Sequence, residues 1–132
     1  MDYQDYFDQA NAANALFEAG DIDGAIAGFE ALVKSDISDI DKSLMAHNIA
    51  RVCIKGGHLE HALEWFDYAI ALEAPLCRCL IQEHKAAYLA EIRRDAEAIA
   101  LYETIYALPY ATEADKQRIW GNLVILRNPR PA

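Results

Sequence analysis

Glycine and proline are scarce in this chain, which has six glycines and four prolines among 132 residues. A turn-rich β architecture uses both residues often, so their scarcity favours an all-α fold. The longest apolar stretch, residues 69–81, is interrupted by Glu73, Pro75 and Arg78, and falls short of the about 18 apolar residues that span a bilayer. The first ten residues carry acids where a signal peptide has bases. We therefore expect a soluble protein that makes no use of a membrane.

Cysteine is also sparse, and its number is odd: Cys53, Cys77 and Cys79. A chain of this length can fold without disulfide bonds, so we expect no disulfide framework and a reducing, cytoplasmic location. Motifs for catalysis are missing too, since there is no Gly-rich phosphate loop, nucleophile elbow or metalloprotease helix. These absences predict a protein that is not an enzyme and holds no cofactor.

Basic residues are outnumbered, with 12 Lys and Arg against 21 Asp and Glu, for a net charge of −9. This balance opposes binding to nucleic acid, where affinity comes from clustered Lys and Arg. The charge is unevenly spread: residues 1–36 hold eight acids and one base, whereas residues 112–132 hold four bases and two acids. Ends of opposite sign could steer copies head to tail, so self-association is one hypothesis for the function.

An internal repeat stands out against this background. Three segments start 37 and 36 residues apart, and each has a small residue, an apolar residue and then an aromatic one, at Ala25-Ile26-Phe29, Ala62-Leu63-Phe66 and Ala98-Ile99-Tyr102. A turn sequence precedes each segment, with glycine in the first two and Arg93-Arg94 in the third. Earlier still comes a small residue followed three positions later by a packing residue, at Ala13 and Leu16, Ala50 and Cys53, and Ala86 and Leu89. The repeat predicts stacked helix hairpins.

Periodicity and capping signals predict seven helices, at residues 3–18, 23–34, 40–55, 59–73, 76–92, 96–107 and 113–126. Ser38 with Asp41 and Thr112 with Asp115 have the spacing of capping pairs, in which the hydroxyl accepts an amide hydrogen bond and the acid reaches back. These pairs predict the starts of the third and seventh helices. The seventh helix matches no repeat and is expected to cap the last hairpin.

The repeat resembles the tetratricopeptide repeat, a 34-residue unit that pairs a helix A with a helix B. The resemblance places repeats at about 6–39, 43–76 and 79–110 within one domain, 1–132, and a capping helix at about 113–126. It implies a right-handed solenoid of three antiparallel helix hairpins, whose A helices line a concave groove. Gln9, Ala46 and Gln82 depart from the large aromatic residue usual at the first position of the A-helix signature.

In that family the groove holds a peptide or helix of a partner protein. The corresponding positions here predict a partner-binding face made of Phe7, Asn14, Phe17, Leu44, His47, Asn48, Arg51, Lys55, Leu80, Glu83 and His84. The apolar members, together with Ile54, could receive a partner helix or strand, or could belong to the core. We therefore predict an adaptor, assembly factor or chaperone-like module.

Three of these residues, His47, Arg51 and Lys55, lie four positions apart on one stripe of the third helix, here called the basic strip. The strip could bind an acidic side chain or a free C-terminus of the partner. Alternatively, it is a solvated face whose charges pair with acids such as Asp41 or Glu60.

Some members of the family clamp the C-termini of chaperones with two asparagines and several cations. Asn14 and Asn48 match the asparagine positions, but Ala10, Leu80 and His84 stand where cations are required, which argues against such a clamp.

The histidines and cysteines also raise the question of a metal site. The spacings of His58 with His61, and of Cys77 with Cys79, do not fit metal ligands on a helix, and no metal site is predicted. Cys53 occupies a packing position, where a thiol behaves as a small apolar group.

Overall fold

The computed structural model describes residues 1–128, which are all-α. Among these residues there are seven α-helices and no strand: α1 (Tyr3–Glu18), α2 (Ile22–Val33), α3 (Asp39–Lys55), α4 (Leu59–Glu73), α5 (Leu80–Glu91), α6 (Asp95–Tyr106) and α7 (Glu113–Arg127). A short 3-10 helix, Ala74–Leu76, follows α4. None of the helices in this range is both long and apolar enough to cross a membrane. The prediction of an all-helical protein is confirmed.

Six of the seven predicted helices begin within one residue of the observed positions, but the fifth was predicted to begin at residue 76 and begins at Leu80. Two features delay it. Pro75 lies in the 3-10 helix, and Cys77 has a left-handed backbone with φ of 57°. A residue in that conformation cannot continue a right-handed helix, so α5 starts only after the turn.

Both predicted capping pairs are present. The Ser38 hydroxyl accepts a hydrogen bond of 3.2 Å from the Asp41 amide and donates one of 2.9 Å to the Asp41 carboxylate. The Thr112 hydroxyl accepts from the Asp115 amide at 3.0 Å, and the Asp115 carboxylate accepts from the Thr112 amide at 3.0 Å. These bonds satisfy amides that have no partner within the helix, and they set the starts of α3 and α7.

The turns between α1 and α2, α3 and α4, and α5 and α6 share one geometry. In each, an amide two residues after the helix cap donates back across six residues: Asp21 to Leu16 at 2.9 Å, His58 to Cys53 at 2.8 Å, and Arg94 to Leu89 at 2.9 Å. The preceding residue is left-handed in all three, with φ of 87° at Gly20, 79° at Gly57 and 66° at Arg93. This is the Schellman arrangement that ends helices, and the third turn makes it without glycine.

We expect the Cys77→Gly variant to be more stable than the wild type by about 1 kcal/mol, because Cys77 is exposed and left-handed, and a side chain in that region costs about 1–2 kcal/mol. Gly57→Ala is the matched reverse test. A Cβ at residue 57 would meet no atom within 4 Å, so only the backbone strain would act, and the free energy of unfolding should fall by about 1 kcal/mol. Urea unfolding followed by circular dichroism measures both changes, and a Cys77→Gly variant of unchanged or lower stability would contradict this account.

The chain divides into two compact units, one of residues 1–76 and one that begins at Cys77. In the first unit, α2 packs on α1 and α3, and α4 packs on α3. The small and aromatic residues of the repeat form its core, with at most 2% exposure at Ala13, Ala25, Phe29, Ala50, Cys53, Ala62 and Phe66. Leu16 was also predicted to pack between helices but is 38% exposed.

In the second unit, α6 packs on both α5 and α7. The repeat positions are again buried, at Ala86, Leu89, Ala98 and Tyr102. Ile119, Leu123 and Leu126 of α7 are buried as well, whereas Trp120 and Val124 are 52% and 44% exposed. One side of α7 therefore contributes to the core, and another side faces outward.

Candidate functional site

Within the first unit, α1 and α3 run side by side in the same direction. Near the start of both helices, the pKa of the Tyr6 hydroxyl is raised, first by burial and then by the carboxylate of Asp41. Near the end of both helices, Nζ of Lys55 lies 5.7 Å from the centre of the Phe17 ring. Contacts at the two matching ends require that the helices be parallel neighbours.

The predicted partner-binding residues of this unit lie on the outward side of those two helices. Phe7, Asn14, Arg51 and Lys55 are exposed, and Phe17, Leu44, His47 and Asn48 are half-buried. We call these eight residues the α1–α3 face. None of the eight is fully buried. Phe7, which is 47% exposed, is therefore not a core residue.

The basic strip on α3 has one half-buried member and two accessible ones. The His47 ring lies 5.7 Å from the buried Phe66 ring, so His47 is anchored against α4. Neither the Arg51 nor the Lys55 side chain makes an ion pair or hydrogen bond with any of residues 1–128, and Nζ of Lys55 lies over the Phe17 ring. The acids expected to neutralise them, Asp41 and Glu60, pair with neither. Two cations therefore remain open to a ligand.

The two asparagines of the face already have partners on their own helices. The Asn14 amide donates to the Glu18 carboxylate at 3.3 Å. The Asn48 amide lies 3.9 Å from the sulfur of Met45, a weak acceptor. Asn48 could therefore donate to an acceptor on a ligand and lose only this weak contact. Asn14 would first have to break its hydrogen bond to the Glu18 carboxylate.

Aromatic rings cluster at the start of α1. The Phe7 ring lies edge-on to Tyr3 at 4.8 Å and to Tyr6 at 5.7 Å between ring centres. Tyr6 is buried, whereas Tyr3 is 67% exposed. The cluster gives the α1–α3 face an apolar end opposite the end that carries Lys55.

The remaining predicted residues, Leu80, Glu83 and His84, line a cleft of about 280 Å³ in the second unit. Four further residues complete its lining: Ala87, Tyr102, Arg118 and Asn122. The prediction identified the α5 side of this cleft only. Tyr102 is the aromatic residue of the third repeat, and just 3% of its surface is exposed.

Arg118 of α7 dominates the polar side of this cleft. Its Nε and Nη2 donate to the two oxygens of Glu83 at 2.8 and 2.9 Å, and its Nη2 also donates to Asp115 at 2.6 Å. These bonds raise the pKa of Arg118. The pKa of Asp115 is lowered, first by the Thr112 amide and then by Arg118. The Glu83 carboxylate thus ties α5 to α7, a role that the sequence did not indicate.

One cluster among residues 1–128 has the composition of a metal site. Ligand atoms of Cys79, Glu83 and Asp115 lie within 4.8 Å of one another. The guanidinium of Arg118 already supplies the positive charge between the two carboxylates, and a metal ion would have to displace it. This arrangement is that of a structural ion-pair network.

Two of the histidines, His58 and His61, and one cysteine, Cys53, lie in the first unit. The rings of His58 and His61 are 6.3 Å apart, beside a separate cleft of about 290 Å³ in the first unit. Cys53 lines the same cleft, and burial raises the pKa of its thiol, which lowers the fraction of reactive thiolate.

No family model matches the chain, and no curated protein matches its sequence. The likeness to tetratricopeptide repeats therefore rests on the chain's own residues. These are the small and aromatic residues at the repeated positions and the three turns of one geometry.

Proposed function

We propose that this chain is a protein-binding module that holds an acidic segment or a free C-terminus of another protein on the α1–α3 face. One observation carries the proposal. Residues 1–76 hold 14 acidic and four basic residues, and two of those four bases, Arg51 and Lys55, lie on this one face without an acidic partner among the described residues. Cations gathered on one face of an acidic unit are the feature that a carboxylate ligand would recognise.

The chemistry of the two cations suits a carboxylate. The planar guanidinium of Arg51 can donate two parallel hydrogen bonds to its two oxygens, and Lys55 adds a point charge one helical turn away. The Phe17 ring holds Nζ of Lys55 on this face through a cation–π contact of 5.7 Å. Half-buried Leu44 and Phe17 offer apolar contact to the ligand's neighbouring side chains.

We further propose that the three hairpins stack as a right-handed solenoid of the tetratricopeptide kind. Three observations support this arrangement: the common turn geometry, the buried alanine pairs at equivalent positions of each hairpin, and the parallel neighbours α1 and α3. The segment that the α1–α3 face holds would be an extended peptide or a helix of the partner.

A reducing cytoplasm is the location that we infer for this activity. The three cysteines form no disulfide within residues 1–128, and Cys77 is exposed. An exposed thiol is stable against oxidation in a compartment that keeps thiols reduced.

The test compares the double variant Arg51→Glu, Lys55→Glu with the wild type in pull-downs from native lysate, with partners identified by mass spectrometry. Lys34→Glu, Arg78→Glu is the matched control, since it makes the same change in net charge with two exposed cations outside the face. We expect a partner that the wild type and the control retain and the face variant loses. Helical circular dichroism should be the same for all three proteins.

A peptide from that partner then allows the loss of affinity in the face variant to be measured. Charged hydrogen bonds contribute about 1.5–3 kcal/mol each, so fluorescence anisotropy should show at least about tenfold weaker binding to the face variant. The peptide with an amidated C-terminus distinguishes a terminal carboxylate from acidic side chains. Equal binding by the face variant and the control would contradict the proposal.

A further inference from the structure

The cleft of about 290 Å³ in the first unit shares no residue with the α1–α3 face. Three elements build it: α2, the last turn of α3 and the start of α4. Its lining residues are Asp23, Ile26, Cys53, His58, His61 and Trp65. All six lie within residues 1–76, so the cleft is complete within one compact unit.

Aromatic rings form much of its wall. The ring planes of His58 and His61 stand at 74° with their centres 6.3 Å apart, so the two rings meet as a corner. Trp65 follows His61 by four positions on α4 and therefore lies on the same side of that helix. The Tyr68 ring supports Trp65 edge-on, with 5.6 Å between ring centres and an interplanar angle of 70°. The cleft thus offers flat surfaces to a planar ligand.

Three polar groups of the cleft have no partner within the part of the chain that the structure describes. The Asp23 carboxylate, the ring nitrogens of His58 and the indole N–H of Trp65 make no ion pair or hydrogen bond with residues 1–128. Asp23 lies in the first turn of α2, where the helix dipole favours a carboxylate and leaves its oxygens free to accept hydrogen bonds. A few polar groups that converge on a cleft with apolar walls orient a bound ligand.

The charge of the cleft favours a cation. Among the six lining residues Asp23 carries the full charge at about pH 8, where imidazole is largely uncharged. Residues 1–76 hold 14 acidic residues and four basic ones, and none of those bases lines the cleft. The face of the Trp65 indole also attracts a cation. An anion would meet repulsion from Asp23 and from the acidic unit around it.

We propose that this cleft binds the guanidinium group of an arginine side chain carried by another protein. The Asp23 carboxylate would accept two of its hydrogen bonds, a ring nitrogen of His58 would accept another, and the Trp65 ring would stack on its plane. The ammonium group of lysine has no plane to stack and fits less well. The cleft is slightly smaller than the about 300–1,000 Å³ typical of sites for whole small molecules, which suits a single side chain.

The first test is a titration with N-acetyl-arginine amide, whose one charge is the guanidinium. Trp65 fluorescence at about pH 8 reports binding if the background carries Trp120→Phe, since the chain has two tryptophans. We expect a saturable change with a dissociation constant of about millimolar, because the ligand is a single side chain. N-acetyl-citrulline amide has nearly the same shape and no charge, and it should bind at least about tenfold more weakly.

A matched pair of variants assigns the binding to Asp23. Asp23→Asn keeps the size of the side chain and removes its charge, so the blocked arginine should bind at least about tenfold more weakly. Asp39→Asn is the control, because Asp39 is also an exposed acid in the first turn of a helix but does not line the cleft. It should bind as the wild type does. Helical circular dichroism should be the same for all three proteins.

Two further ligands separate a protein side chain from other occupants. Free arginine adds a carboxylate and an ammonium group, and it would bind more tightly than the blocked arginine only if the cleft recognised the whole amino acid. The ring-proton NMR signals of His58 and His61 should shift with the blocked arginine, which gives a readout that does not depend on fluorescence. A titration with Zn²⁺ alone, followed by the same signals, tests for a metal ion.

Saturable binding of the blocked arginine that Asp23→Asn weakens and Asp39→Asn retains supports the proposal. Absence of both a fluorescence change and an NMR shift overturns it, and so does equal binding of the citrulline derivative or by Asp23→Asn. Tighter binding of free arginine would assign the cleft to a small molecule instead. Micromolar Zn²⁺ that shifts both histidines and blocks arginine would assign it to a metal ion. The α1–α3 face takes no part in these measurements, so they stand apart from the test of its ligand.

Discussion

The Phe66→Ala variant is expected to unfold with a free energy about 3–5 kcal/mol lower than that of the wild type. Phe66 is 2% exposed and lies on α4, with its ring 5.7 Å from the ring of His47 on α3. Removing the ring leaves a cavity between two helices whose backbones are held by their own hydrogen bonds, so little of the space can close. The loss combines the lost burial of the ring with the cavity that remains.

Tyr68→Ala is the control for this prediction. Tyr68 is an aromatic residue of the same helix, two positions away, but 44% of its surface is exposed, so its removal should cost less than about 1 kcal/mol. Fluorescence of Trp65 during urea unfolding reports on the first unit if the background carries Trp120→Phe, since the chain has two tryptophans, one in each unit. If Phe66→Ala and Tyr68→Ala lose equal stability, the core assigned to the first unit is wrong.

The Gly28→Val variant should have a free energy of unfolding about 2–3 kcal/mol lower than that of the wild type. Here the cause is overpacking between two helices, whereas Phe66→Ala leaves a cavity. Even a Cβ on residue 28 would lie 2.9 Å from the Cβ of Ala13 on α1, closer than two carbon atoms approach in proteins. Ala13 has no rotatable side chain with which to yield, so α1 and α2 must separate. The larger, branched side chain of valine makes that separation wider.

Moving one methyl group between the two helices tests the mechanism. In the double variant Ala13→Gly, Gly28→Ala the pair again contains one methyl group, and we expect it to lose less than about 1 kcal/mol. Gly121→Val adds the same side chain to a helix position where a Cβ meets nothing within 4 Å, and its stability should change little. Thermal or urea unfolding measures all three. Valine has a higher helix propensity than glycine, so a loss in Gly121→Val as large as that in Gly28→Val would contradict the close-approach account.

Local patterns account for most of the helix boundaries, because helix starts and stops depend on neighbouring residues. The hydroxyl of Thr112 finds its amide three residues later, and Gly57 takes the left-handed backbone that ends α3. The fifth helix was misplaced by four residues for a related reason. The left-handed turn there falls on Cys77, a residue type that rarely adopts it, so no local signal marked the stop.

Local patterns do not predict ion pairs between residues that are far apart in the chain. Glu83 was predicted to face a partner, and the structure pairs it with Arg118, which is 35 residues away. An ion pair between two helices depends on how those helices are packed and rotated, which a repeat spacing does not specify. The nearer pair of Asp115 with Arg118 has i,i+3 spacing and could have drawn attention to Arg118.

The sequence by itself determined the all-α class, the three equivalent turns and the small and aromatic residues that pack between helices. It could do so because helix periodicity, capping and close packing repeat with the chain and need only local chemistry. Tertiary structure alone decided which charges are neutralised. It left Arg51 and Lys55 without acidic partners, joined Glu83 to α7 and left Trp120, Val124 and Ile125 of α7 exposed. Each of these depends on distances between residues far apart in the chain.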